Sequence, residues 1–328
     1  VILFTVTDME IIFQALGREF KLTGICVNLR HLRPKMPRRF APDPRMGGMA
    51  MGEGLLLWQA LGICPGDVVA FTGGGGKTSL ALTVVRELRA AGRPVLFTCT
   101  TRMFPVPWME PVLTATAGDA WLEAVAAALA AGRPVCLGQR VEPETGKLFG
   151  ITTEQVAACR QLRECVVLVE ADGSAGLPLK APAAHEPVIP PVADIVVPVA
   201  GAGVLGKALV PANVHRAPLV ARLAGVPEGV PVTPEIVAAA LVAPDGCTRG
   251  APPGARIVPV VSQADTPDTG PLLRALAQLL LGRAPGRPGQ HVSRVVLAAP
   301  ATAEPVREVI GSFPGGPKGC RRPGSMRR

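Results

Sequence analysis

Four consecutive glycines, Gly73, Gly74, Gly75 and Gly76, join an apolar run at 68–72 to a stretch at 80–91 whose apolar positions 81, 84, 85 and 88 recur at helical spacing. Strand, glycine turn and helix in that order make one βα unit. The pattern then repeats, with strand-like runs at 95–99, 135–137, 166–169, 195–199, 257–261 and 295–298 separated by helical stretches. Such alternation implies a parallel sheet covered on both sides. The expected fold is therefore α/β, doubly wound, with a mostly parallel sheet of the P-loop NTPase type and helices on both faces.

Two copies of one punctuation signal support this. Ala90-Ala91-Gly92-Arg93-Pro94-Val95 recurs as Ala130-Ala131-Gly132-Arg133-Pro134-Val135. In each, Gly supplies the left-handed residue past a helix end, Arg complements the negative end of the dipole, and Pro prevents continuation before a strand begins. At Thr233-Pro234-Glu235 a helix start is expected, with Thr233 capping and Pro234 in the first turn.

The chain of 328 residues is long enough for two or three compact units, and 48% hydrophobic against 18% charged residues excludes a disordered polar chain. Pro, Gly or a charge interrupts every apolar run before it reaches the roughly 20 residues of a membrane span, so no membrane association is expected. The net charge of +9 sits at the ends: residues 1–50 carry 8 basic and 4 acidic residues, residues 315–328 carry 5 basic and none acidic, and the remainder balances at 21 against 21. A balanced middle with 4% aromatics and no Tyr argues against a nucleic-acid partner.

The expected organisation is a basic N-terminal extension over 1–50, with a true start at Met46, Met49 or Met51, then a nucleotide-binding domain over 51–281. A linker, a short strand and a helix follow over 282–314, and a basic tail ends the chain over 315–328. Eight cysteines include no C-x-x-C pair, and several lie in apolar strand-like runs. Reduced thiols in a cytoplasmic protein are the expectation.

In Gly73-Gly74-Gly75-Gly76-Lys77-Thr78-Ser79, glycines let backbone amides approach phosphate oxygens without Cβ clashes, and the helix start adds a partial positive charge. Lys77 would neutralise the terminal phosphates, and Thr78 would ligate Mg²⁺ through its hydroxyl. Phe71 stands where the full G-x-x-x-x-G-K-[ST] pattern has Gly. The shorter loop is similar to that of the Mur-type ATP-dependent ligases, which keeps a ligase or kinase acting on a small molecule as an alternative.

A second apolar strand, 166–169, runs into Glu170-Ala171-Asp172-Gly173. Period two places Glu170 and Asp172 on one face at the carboxyl end of the strand, where one would hold Mg²⁺ and the other orient a water. The proline-rich stretch after them offers Lys180, His185 and Glu186, with His215 further on, as a substrate or switch loop. That loop also leaves open a non-catalytic chaperone switched by nucleotide. Ser262-Gln263-Ala264-Asp265, after the run at 257–261, is similar to the [NT]-[KQ]-x-D element of GTP-binding proteins, with Asp265 reading guanine; a plain strand-end turn is the alternative.

Taken together, Gly74-Gly75-Gly76-Lys77-Thr78, Val95-Leu96-Phe97-Thr98-Cys99-Thr100-Thr101-Arg102-Met103 and the stretch from Glu170-Ala171-Asp172-Gly173 to His185-Glu186-Pro187-Val188-Ile189-Pro190 resemble the YqeC family. The likeness spans about residues 55 to 270 and continues through Val214-His215-Arg216. Relatives carry Asn-Lys-x-Asp at the position of Ser262-Gln263-Ala264-Asp265, which favours a base-binding role for Asp265. Cys99 replaces a Thr of the family and leaves Thr98, Thr100 and Thr101 as hydroxyls to meet Mg²⁺ or phosphate. The resemblance implies an accessory factor in maturing selenium-dependent molybdenum hydroxylases, with Mg²⁺ and ATP or GTP as cofactors. Its implied partners are a molybdenum hydroxylase or the proteins that mature its cofactor.

Overall fold

The computed structural model describes residues 54–265, 270–283 and 291–312. The expectations for the N-terminal extension, most of the 282–289 linker and the basic tail lie outside these residues. In chain order the strands are β1 (Val68–Gly73), β2 (Val95–Cys99), β3 (Arg102–Met103), β4 (Glu110–Leu113), β5 (Val135–Gly138), β6 (Leu148–Phe149) and β7 (Val166–Glu170). They continue with β8 (Leu179–Lys180), β9 (Ile195–Gly201), β10 (Val214–His215), β11 (Arg256–Ile257), β12 (Val260–Ser262), β13 (Arg294–Ala298) and β14 (Val306–Gly311). The helices are α1 (Leu57–Ala60), α2 (Lys77–Ala90), α3 (Thr114–Ala117), α4 (Trp121–Ala130), α5 (Thr153–Ala158), α6 (Ala217–Ala224), α7 (Pro234–Val242) and α8 (Gly270–Leu280).

The central sheet runs β14-β13-β12-β9-β1-β7-β2-β5-β4, with β11 alongside β9, and only the β13–β14 pairing is antiparallel. Alternation within each strand sends side chains to opposite faces. Phe71, Phe97, Leu168 and Val197 face one side, where Leu80, Val84, Val85 and Leu88 of α2 cover them. Ala70 and Val196 face the other, with Val220 of α6, Leu241 of α7 and Leu276 of α8. Leu96 and Val167 share that second side with Val125 of α4 and Val156 of α5. The sheet is thus doubly wound, as the alternation of strand and helix implies. Burying each of the large apolar side chains contributes roughly 1.5–3 kcal/mol.

Both copies of the repeated signal act as expected. Helices end at Ala90 and Ala130, Gly92 and Gly132 take φ of 66° and 72°, and strands begin at Val95 and Val135. Other expectations need correction. The run 257–261 is two strands, because Pro259 has no N–H to give a ladder and divides β11 from β12. The helix expected after the run 295–298 is strand β14, which pairs Val296 with Val309. The short 299–305 connection permits an antiparallel return but not the dozen or more residues of a parallel crossover. Thr233 stands at the N-cap of α7 but makes no side-chain cap bond. Cys99, Cys136, Cys159, Cys165 and Cys247 are free and buried, whereas Cys64 is disulfide-bonded, contrary to the expectation of reduced thiols throughout.

The topology fixes where a ligand can enter. From β1 the chain moves to β2 on one side; from β9 it moves to β12 on the other. Connections leaving neighbouring strands in opposite directions open a crevice at the carboxyl ends of β1 and β9, the switch point at which doubly wound sheets bind ligands.

Candidate functional site

The glycine turn occupies that crevice. Gly73, Gly75 and Gly76 have φ of 91°, 70° and 90°, a region costly for any residue with a Cβ. Close packing adds a second demand. A Cβ on Gly75 would lie 2.6 Å from the Ala200 carbonyl carbon and nearer still to the Gly201 nitrogen, and one on Gly74 would lie 2.7 Å from the Leu177 carbonyl oxygen. Gly76, by contrast, is exposed, and a Cβ there would meet only the Ser79 side chain at ordinary contact, 3.9 Å from Oγ.

The expectation that all the loop amides face a ligand is corrected by their hydrogen bonds. Gly73 N–H donates to Asp172 Oδ2 at 3.0 Å, Gly74 N–H to the Val199 carbonyl at 2.9 Å and Gly75 N–H to the Leu177 carbonyl at 3.1 Å. The ladder of α2 begins with Leu80 N–H to the Gly76 carbonyl at 3.1 Å. Lys77, Thr78 and Ser79 therefore present first-turn amides with no intrahelical acceptor, and Gly76 provides no side-chain cap. Three donors at the positive end of a 14-residue helix form an anion site of the kind that holds phosphate.

Lys77 itself is buried and turned back on the loop, its Nζ 2.5 Å from the Gly73 carbonyl and 3.0 Å from Asp172 Oδ1. Burial opposes its charge, but Asp172 and Glu170 outweigh burial and raise its pKa. Thr78 Oγ1 donates to Glu170 Oε2 at 2.7 Å. Burial raises the Glu170 pKa, opposed by Lys77 and by the Thr78 hydrogen bond. Both carboxylates thus reach the loop, with different partners.

Asp172 is fully buried and meets a second ammonium, Lys180 Nζ, 3.1 Å from Oδ2. Lys180 Nζ also donates to the Gly173 carbonyl at 2.6 Å and to Glu186 Oε2 at 2.7 Å. Glu186 Oε2 accepts from Arg216 Nη1 at 2.6 Å, and Arg249 donates to the Ala183 and Glu186 carbonyls. Burial works against the Glu186 charge, yet the Lys180 and Arg216 hydrogen bonds bring its pKa down to about 2. Arg216 and Arg249 escaped the sequence reading. The Val214-His215-Arg216 run was a signal for the first; nothing local distinguishes Arg249.

The remaining candidates divide. Thr100 is tied into the site by its N–H to the Glu170 carbonyl at 3.1 Å and its hydroxyl to the Val188 carbonyl at 2.7 Å. The Thr101 hydroxyl is buried without a hydrogen-bond partner, whereas Thr98 is wholly buried and bonded to the Leu137 carbonyl, so it is withdrawn from any ligand. His185 is exposed, its Nε2 4.0 Å from Glu186 Oε1. His215 lies in register with Lys180 between β10 and β8, and burial first, then Arg216 and Lys180, lower its pKa. Ser262 donates to the Gly75 carbonyl and so braces the loop, while Asp265 is exposed just beyond β12.

Oxygen donors suit a hard cation. Among the described residues no group of three or more His, Cys, Asp or Glu side chains is arranged to hold a metal alone. Thr78 and Glu170 fit Mg²⁺, an ion that completes its octahedron with phosphate oxygens and water. Asp172 lies between two lysines in ion pairs, and its buried Oδ1 makes no hydrogen bond. No described helix is long and apolar enough to cross a membrane.

These features define a doubly wound α/β protein whose lysine-bearing glycine loop sits at the switch point of a mostly parallel sheet. The chain belongs to the YqeC family. The family's sequence model, described as YqeC protein, matches residues 69–218. The chain is 37% identical over 192 residues, 58% of its length and 73% of the relative's, to a protein of Escherichia coli (strain K12) described as "Uncharacterized protein YqeC". It is also similar, at 12% identity and a TM-score of 0.31, to the crystal structure of the signal recognition particle receptor FtsY from Elizabethkingia anophelis. That alignment covers 77% of this chain and 67% of that one, and a likeness this low carries no argument about the site.

Proposed function

We propose that the protein binds a Mg²⁺-nucleoside triphosphate at its glycine loop and hydrolyses it as an accessory factor in maturing selenium-dependent molybdenum hydroxylases. The observation that carries the nucleotide reading is the set of first-turn amides of Lys77, Thr78 and Ser79 beside a buried lysine and the Thr78–Glu170 oxygens. The amides hold the phosphate chain. Lys77 turns from the Gly73 carbonyl and Asp172 to the terminal phosphate, and Thr78 with Glu170 holds Mg²⁺. When bound, Mg²⁺ neutralises charge on the transferring phosphoryl group, and the fixed amides and Lys77 add electrostatic stabilisation. Asp172 acts through Lys77, keeping its ammonium charged and close to the loop.

Asp265 suits the base end of the nucleotide. It follows β12, two strands from β1 at the same carboxyl edge, which corresponds to about 10 Å at the usual strand spacing. The role in selenium and molybdenum enzyme maturation rests on what the motif resemblance implies. A second reading, transfer to a small acceptor, is favoured by one observation: a cavity of about 380 Å³ lined by Ala181, Ala183, Leu219 and Arg249, beginning one residue beyond Lys180.

Titration calorimetry with Mg-ATP and Mg-GTP separately, together with phosphate release, tests the proposal. Lys77→Ala should abolish turnover and weaken binding while circular dichroism shows a folded chain. Retention of both activities would remove the nucleotide assignment. Stoichiometric phosphorylated product on adding an acceptor would select the second reading.

A further inference from the structure

Lys180 Nζ donates to the Gly173 carbonyl at 2.6 Å and to Glu186 Oε2 at 2.7 Å, and it forms an ion pair with Asp172 Oδ2 at 3.1 Å. The ammonium is fully buried. Charges alternate without a break from the glycine loop outward: Lys77, Asp172, Lys180, Glu186, Arg216. The nucleotide reading requires Lys77 to leave Asp172 for phosphate oxygens. Asp172 is wholly inaccessible to water, and a buried carboxylate stripped of its partner is strongly unfavourable. When Lys77 turns away, Lys180 at 3.1 Å and the Gly73 N–H at 3.0 Å remain to hold it.

We propose that Lys180 is a positioning residue that takes over the Asp172 carboxylate when Lys77 moves to the phosphates. In doing so it loosens its hold on Glu186, which lies in the 181–191 segment. The inference rests on the nucleotide reading above. Glu186 is not stranded by the exchange, because Arg216 still donates to it at 2.6 Å. Arg249 fixes the same segment through the Ala183 and Glu186 carbonyls, so a weaker Lys180–Glu186 bond changes the tension on a loop already held at its other side. That loop also forms a wall of the 380 Å³ cavity.

Calorimetric affinities for Mg-ATP and Mg-GTP are compared among the parent, Lys180→Met, Asp172→Asn/Lys180→Met and Glu186→Gln proteins. With Lys180 gone, Asp172 keeps Lys77 to itself. Lys180→Met should bind about tenfold or more weakly, the scale of coupling within one ion-pair network. The double variant removes the anion that retains Lys77 and should recover part of the affinity lost in Lys180→Met, short of the parent because Asp172 also keeps Lys77 at the loop. Glu186→Gln releases Lys180 toward Asp172 and should bind more tightly, a gain that a merely structural residue would not produce. Nucleotide should also raise amide exchange over 181–191 in the parent and not in Lys180→Met. Parent-like affinity in Lys180→Met, or weakened binding in Glu186→Gln, overturns the inference even if one variant fails to fold. A parent protein that binds neither nucleotide overturns the nucleotide reading, and this inference with it.

Discussion

Alanine at Gly75 and at Gly76 separates two reasons for glycine in adjacent positions of the loop. Both have positive φ, 70° and 90°, so each methyl carries a left-handed backbone cost of about 1–2 kcal/mol. Only at Gly75 does the new Cβ also strike backbone, 2.6 Å from the Ala200 carbonyl carbon and 2.8 Å from Gly201 Cα. Those atoms end β9, which is paired on both sides and cannot give way cheaply. Forced overpacking adds about 1–3 kcal/mol, which brings Gly75→Ala to about 2–5 kcal/mol of destabilisation against about 1–2 for Gly76→Ala. Urea denaturation of the two variants and the parent, fitted for midpoint and slope, measures the difference. The Gly76 methyl projects outward, beside the first-turn amides, so its effect should appear in phosphate binding rather than folding. Gly76→Ala should therefore lose nucleotide affinity with little loss of stability, and Gly75→Ala the reverse weighting. Equal destabilisation by the two substitutions would refute the claim that the turn is wedged against the end of β9.

Glu186 provides a pH signature. Its folded pKa is held at about 2 against an ordinary 4.5, so it contributes stability that is fully present above the unfolded value and disappears as pH falls toward 2. The linkage is worth at most about 3 kcal/mol, and Glu186→Gln should flatten the acid limb of a stability–pH curve between those values. At the metal oxygens, Glu170→Gln should lower the Mg²⁺ dependence of nucleotide binding measured by calorimetry; an unchanged Mg²⁺ requirement would remove Glu170 from the metal site. Asp265→Asn should depress GTP affinity while sparing ATP, and an unaltered preference between them would count against a base-reading role.

Local pattern made much of this molecule legible. Apolar runs of strand length, helical spacing after the glycines, and Gly-x-Pro stops at Gly92 and Gly132 are short-range features whose physics is complete within a few residues. The loop itself, with Lys77 and Thr78 opening α2, follows from the same adjacency. Where the reading failed, a distant partner decided. The segment 306–311 became a strand because β13 was there to pair with it, and Pro259 divided a run that hydrophobicity alone joins. Gly73, Gly74 and Gly75 looked suited to phosphate, but their amides are satisfied by Asp172, Val199 and Leu177.

Sequence by itself settled the layered α/β architecture and the position of the glycine loop, because periodicity and turn chemistry are written in neighbouring residues. Tertiary structure alone decided which charges meet. Lys77 and Asp172 come from different strand ends, and Arg216 and Arg249 reach Glu186 and its backbone from 30 and 63 positions away. Ion pairs of that kind depend on the sheet order and on burial, which removes water as a competing partner, and neither property is a function of spacing along the chain.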